Sequence, residues 1–112
     1  MKIGAFKASL RAARPPRGLS PPLRALWWAA KDKWATAHDI AQKHDDRDAA
    51  WVHAYLHRVE GDAANAGYWY RRAARSPATG ALPAEWAAIV RALLESPRAG
   101  GCLRGKMLRS IT

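Results

Sequence analysis

The stretch that decides the fold is AWVHAYLHRVEGDAANAGYWYRRAAR, which covers residues 50–75. Gly61 and Asp62 divide it into two segments, and each segment carries apolar side chains at helical spacing. Gly commonly ends a helix, and Asp commonly caps the start of the next one. Because a turn this short leaves two helices side by side, the stretch predicts an antiparallel helix pair.

The rest of the chain predicts further helices. Residues 15–22, PPRGLSPP, contain four prolines and form a linker, after which Ser20 can cap a helix from Pro21 to about Ala30. Two more helices are expected, from about Trp34 to His44 and from about Pro83 to Ser96. Since Ala is abundant and β-branched residues are few, we expect an all-α fold of about five helices: two antiparallel pairs and a C-terminal capping helix.

The formal net charge of +10 is concentrated at the two ends of the chain. Residues 25–96 carry nine basic and nine acidic residues, whereas the segments on either side contain only basic ones. We therefore expect flexible basic tails around a neutral body, even though Ile3, Phe6 and Leu10 share one helical face. The expected divisions are a basic extension, a helical repeat-like domain and a basic tail, at residues 1–19, 20–97 and 98–112. Such tails can bind nucleic acid, but the neutral body does not favour a nucleic-acid accessory protein.

The sequence contains few signals for other classes of protein. The single cysteine, Cys102, cannot form an internal disulfide, which is typical of the reducing cytoplasm. No apolar run reaches the length of a membrane span. There is no phosphate-binding loop and no nucleophile beside an evident base, so nothing in the sequence requires an enzyme, and we expect no cofactor.

Small and aromatic residues recur in two units of the chain. Laying Ala37 on Ala66 gives a period of 29 residues. The second unit has Ala54, Gly61-Asp62, Ala66, Tyr70, Ala73 and Pro77, and the first has Ala25, Trp28 and Ala37. Over about residues 21–77 this pattern resembles a short tetratricopeptide-type helical repeat. The resemblance implies stacked helix pairs and a role in protein interaction, although His53 and His57 stand where the family has Leu and an aromatic residue.

One group of residues can carry chemistry. His53, His57 and Glu60 occupy positions i, i+4 and i+7 of one helix, so they share a face. His38 can approach the same face if the second and third predicted helices pack antiparallel. Two imidazoles and a carboxylate can hold zinc or ferrous iron, whereas a purely structural role would leave the histidines hydrogen-bonded between helices.

The sequence therefore leads to one functional expectation with two alternatives. We expect a module that binds a protein segment or a small ligand, through side chains on the histidine face and the helix that follows it. The expected binding residues are His38, His53, His57, Glu60, Asn65, Tyr68 and Arg71. One alternative is a metal-dependent enzyme that uses His53, His57 and Glu60 together with His38. The other is a nucleic-acid accessory protein that acts through the basic tails.

Overall fold

The computed structural model describes residues 1–95 of the 112-residue chain. Within these residues there are six α-helices and no strand, so the all-α class is confirmed. The helices are α1 (Ile3–Ser9), α2 (Pro21–Ala30), α3 (Trp34–Gln42), α4 (Arg47–Val59), α5 (Ala63–Arg72) and α6 (Leu82–Glu95). The number exceeds the expected five because the N-terminal segment also forms a helix. The expected basic tail at 98–112 lies outside the described residues.

Side-chain caps fix where three of these helices begin. Ser20 accepts a hydrogen bond from the Leu23 backbone N–H at 3.5 Å, with Pro21 at the first helical position of α2. Asp46 caps α4, and Asp62 caps α5 by accepting the Asn65 backbone N–H at 3.1 Å. Each cap satisfies a donor that the helix itself leaves unpaired, which explains why these boundaries can be predicted from the sequence.

The turn between α2 and α3 and the turn between α4 and α5 have the same backbone conformation. Asp32, between α2 and α3, has φ of 60°, and Gly61, between α4 and α5, has φ of 85°. In each turn the next backbone N–H donates to a carbonyl five residues back, at 3.0 Å in the first turn and 2.9 Å in the second. This left-handed ending is a common helix C-terminal motif that favours Gly and tolerates Asp. The same ending follows α5, where Ala74 has φ of 59° and the Arg75 N–H donates to the Tyr70 carbonyl at 3.0 Å.

The helices pack around a single apolar core that contains Trp27, Tyr70, Leu26 and Leu56. Helix α2 packs mainly on α3, and α4 packs mainly on α5. Helix α4 also contacts α3, while α6 lies against α2 and α4. Helices α3 and α5 therefore both pack on α4, and we call the place where these helices meet the seam. None of the helices in residues 1–95 is long and apolar enough to cross a membrane.

The N-terminal helix α1 departs from the expected flexible extension. Phe6 is fully buried, and its ring centroid lies 5.8 Å from that of Trp86 in α6. The Ser9 hydroxyl accepts a hydrogen bond from Trp27 Nε1 at 3.0 Å. Lys7, the one basic residue of α1, is exposed, while Phe6 is buried and Ile3 packs against the core, so the charge of this segment is a poor guide to its order.

Candidate metal centre

Three histidines from two helices converge at the seam. His38 lies on α3, while His53 and His57 lie one turn apart on α4. The Nε2 atoms of His38 and His53 are 2.9 Å apart, and one ring nitrogen from each of the three residues lies within 4.8 Å of the other two. His53 and His57 are only 4% and 6% exposed, whereas His38 is half-buried. We refer to these three residues as the histidine cluster.

The cluster follows from two features of the fold. The spacing of four residues places His53 and His57 on the same side of α4, with ring centroids 4.9 Å apart. Packing of α3 against α4 then brings His38 to the same place. Its ring centroid lies 4.6 Å from that of His53 and 5.3 Å from that of His57.

Two tryptophans hold the imidazole rings in place. Trp34 stacks on His38 with a centroid distance of 4.7 Å and an interplanar angle of 13°. Trp69 of α5 stacks on His53 at 3.9 Å and 12°. Trp34 is itself fixed, because its Nε1 donates a hydrogen bond to the Leu56 carbonyl at 2.7 Å. The cluster is thus enclosed by aromatic walls from α3 and α5.

Neither tryptophan is among the site residues that the sequence predicts. The spacing does carry a signal for Trp34, since it precedes His38 by four residues on the same helix. Trp69 belongs to the run Tyr68-Trp69-Tyr70, whose three side chains point in different directions around α5. Tyr70 is 1% exposed and Tyr68 is 42% exposed, while Trp69 is half-buried beside the cluster.

Glu60 is linked to the cluster through His57. Its Oε1 lies 2.6 Å from His57 Nδ1, one turn further along the chain at the C-terminal cap of α4. A carboxylate at this distance from a neutral imidazole accepts a hydrogen bond from Nδ1–H. The other ring nitrogen, Nε2, then carries no hydrogen and keeps its lone pair. Glu60 therefore orients His57 and determines which of its nitrogens can bind another group.

Burial favours the neutral form of the other two rings. Burial, together with the neighbouring rings of His38 and His57, lowers the pKa of His53 to about 4. Burial and His57 also lower the pKa of His38, against the opposing effect of Glu60 and Asp39. Both rings are thus uncharged at neutral pH, and the neutral imidazole is the form that coordinates metals.

The remaining predicted site residues lie elsewhere on α5. Asn65 is exposed and hydrogen-bonds to the capping carboxylate of Asp62. The Tyr68 hydroxyl accepts a hydrogen bond from Arg72 at 3.0 Å, and Arg71 is exposed. Within residues 1–95, none of the three predicted α5 residues forms a hydrogen bond with the histidine cluster. The structure therefore brings together only the α3 and α4 part of the predicted set.

Comparison with known proteins gives no relative from which to interpret this site. The chain matches no protein-family model, no curated protein and no solved structure. The chemistry of the site must therefore be inferred from its own geometry.

Proposed function

We propose that this protein is a metal-binding helical protein whose histidine cluster binds one divalent transition-metal ion, with Zn²⁺ as the best match. The observation that carries the proposal is the convergence of two buried imidazoles and one half-buried imidazole, with one nitrogen of each within 4.8 Å of the others. Imidazole nitrogen is a preferred donor for zinc, and three histidines form one of the common sets of protein ligands at zinc sites.

The spacing of the nitrogens is compatible with a tetrahedral ion. Zn–N bonds of about 2.0–2.1 Å at tetrahedral angles separate ligating nitrogens by about 3.3 Å. The Nε2 atoms of His38 and His53 are 2.9 Å apart, and one nitrogen from each of the three rings lies within 4.8 Å of the others. Metal binding therefore requires side-chain shifts on the order of 1 Å, together with movement of the hydrogen shared by the two Nε2 atoms to a δ nitrogen.

The surroundings resemble those that support metal-binding histidines. Such residues usually donate their second ring N–H to a carboxylate, a carbonyl or water, which fixes the tautomer and strengthens the metal-binding nitrogen. Glu60 occupies this position behind His57, at 2.6 Å from Nδ1. Trp34 and Trp69 supply the apolar shell that limits solvent access.

Metal analysis of the purified full-length chain tests the proposal. After removal of bound metal with a chelator, reloading with Zn²⁺ and dialysis should leave about one zinc per chain by elemental analysis. The double variant His38→Ala/His53→Ala should retain none. His44→Ala is a matched control, because it removes the fourth histidine of the chain, which lies just after α3 and outside the cluster. Equal zinc in the wild type and the double variant would contradict the proposal.

A second candidate function is the binding of a protein segment on the tetratricopeptide-like scaffold that the sequence resembles. The support for the scaffold is the close packing of α2 on α3 and of α4 on α5, each through a turn of the same conformation. The support for a docking role is the exposure of Tyr68 and Val59, at 42% and 41%, on the two helices of the second pair. Tyr68→Ala should then abolish co-purification of a partner from native cells without changing the zinc content, whereas an unchanged set of partners would contradict this role.

A further inference from the structure

We propose that the metal ion in the histidine cluster has a fourth ligand that is not a protein group. This ligand is a water molecule, which a small anion can displace. This inference rests on the proposed metal binding and concerns what else the ion can hold. It assigns the centre to the kind of site that has three protein ligands and an exchangeable one, which is the arrangement of catalytic zinc sites; structural sites have four protein ligands.

The first argument is that each carboxylate near the cluster already has another partner. Glu60 is bound to His57 Nδ1 at 2.6 Å, on the ring nitrogen other than the one left for the metal. Asp39 forms an ion pair with Lys43 at 3.0 Å. Asp62 accepts two hydrogen bonds from Asn65, at 3.1 and 3.3 Å, as the cap of α5. A fourth protein ligand would have to break one of these interactions.

The second argument concerns the other groups that could ligate a metal. Among residues 1–95, the histidine cluster is one of two sets of metal-binding side chains close enough to act together. The other set consists of His57, Glu60 and Asp62, and it shares His57 with the cluster. It therefore adds carboxylates to the neighbourhood but no fourth imidazole.

The third argument is access. His38 is the most exposed of the three histidines, so solvent reaches the cluster from the α3 side. Trp34 stacks on one face of His38 and Trp69 on one face of His53, which limits the space beside the cluster. The ligand that fits is small and carries an anionic or strongly basic oxygen or nitrogen atom, since such atoms bind a divalent ion directly. Water in this position would be acidified by the ion, as at other zinc centres.

Cobalt substitution makes the open position visible. Co²⁺ bound to the full-length chain has visible absorption bands whose position and intensity depend on its coordination, whereas Zn²⁺ has none. Titration of the cobalt protein with azide should shift these bands in a saturable manner, with one azide per ion. Bands that do not respond to azide would overturn the open position while leaving metal binding intact. Failure of Co²⁺ and Zn²⁺ to bind at all would instead contradict the proposed function.

Two conservative variants exclude a carboxylate as the fourth ligand. Glu60→Gln keeps an oxygen that can accept the His57 hydrogen, and Asp62→Asn keeps a side chain that caps helices well. Both variants should show the azide response of the wild type. If azide shifts the cobalt bands only after one of these substitutions, that carboxylate occupies the fourth position in the wild type, and the inference is wrong.

Discussion

Helix α4 carries two buried polar groupings that differ in how their charges are balanced. The histidine cluster faces α3 and α5. The other grouping begins at Arg58, whose Nη1 lies 2.6 Å from Glu85 Oε1 of α6. The Tyr70 hydroxyl donates to the second oxygen of the same carboxylate, and Arg58 Nη2 donates to the Gly80 carbonyl at 2.7 Å. We call Arg58, Tyr70 and Glu85 the carboxylate network.

The difference indicates which grouping holds the fold together and which can bind an ion. In the carboxylate network a positive and a negative charge face each other, and both carboxylate oxygens accept hydrogen bonds. In the histidine cluster, by contrast, two Nε2 atoms face each other across a single shared hydrogen, and Glu60, the one carboxylate of residues 1–95 that hydrogen-bonds to the cluster, reaches a single ring. A cation would complete the histidine cluster but has no place in the carboxylate network.

The largest effect on stability is expected from Glu85→Ala. Glu85 is 8% exposed, and its removal leaves the Arg58 guanidinium and the buried Tyr70 hydroxyl without their partner. Breaking a buried ion pair in this way lowers the free energy of unfolding by about 3–5 kcal/mol. Urea denaturation would measure the loss. Glu95→Ala, at the exposed end of α6, is the control and should change the free energy of unfolding by about 0.5 kcal/mol or less.

The same variant separates the two groupings. Because Glu85 belongs only to the carboxylate network, the folded Glu85→Ala protein should bind Zn²⁺ as tightly as the wild type. Tenfold weaker zinc binding would show that the two sides of α4 are coupled, and the contrast between a structural and a binding grouping would then fail.

Phe6→Ala tests the packing on the α6 side of the molecule. Deleting a fully buried aromatic ring that contacts Trp86 should lower the free energy of unfolding by about 3 kcal/mol without altering zinc affinity. Lys7→Ala, on the exposed side of α1, is the matched control. Equal stability of the two variants would mean that residues 1–19 are a detachable extension after all.

Glu60→Ala tests whether the histidine cluster depends on the carboxylate that orients His57. Loss of a carboxylate that orients a metal-binding histidine typically weakens metal affinity by about 10–100-fold. Competition with a zinc indicator should show this loss for Glu60→Ala and recovery of most of the affinity for Glu60→Gln. Alanine and glutamine variants with the same affinity as the wild type would show that His57 does not depend on Glu60.

The sequence predicts the parts of this structure that depend on neighbours along the chain. Caps such as Asp62, the stop at Gly61 and the shared face of His53 and His57 all arise within one or two helical turns. The approach of His38 required one further assumption, antiparallel packing of adjacent helices.

The features that escaped prediction depend on contacts between distant segments. Trp69 reaches His53 across the interface of α4 and α5, and Arg58 meets Glu85 27 residues away. Burial of Phe6 depends on α6, at the opposite end of the described chain. Local periodicity shows that the helix containing Phe6 has an apolar face to bury, but it does not show which segment will cover that face.

The smallest effect is the response of the metal-free protein to acid. Burial lowers the pKa of His53 to about 4 in the folded state, while the unfolded chain titrates near the ordinary value of about 6.5. Between these values the unfolded state binds more protons, so the stability that neutral His53 confers is complete above about pH 6.5 and declines as the pH falls towards 4. Because solvent reaches the cluster from the His38 side, we expect a loss of roughly 1–2 kcal/mol.

Urea denaturation with a chelator present, at pH 7.5, 6 and 5, would measure this loss. His53→Gln should respond less to acid over the same range, because it removes the titrating ring while keeping a polar side chain. A wild-type protein that becomes more stable between pH 7.5 and 6 would mean that Glu60 keeps a histidine protonated in the folded state. In that case the folded pKa would be raised, stability would be lost as the pH rises through it, and the cluster would carry its own positive charge. Protons on these rings would compete with a metal ion for the same nitrogens. The direction in which stability changes with pH therefore also indicates how readily the site can bind metal at neutral pH.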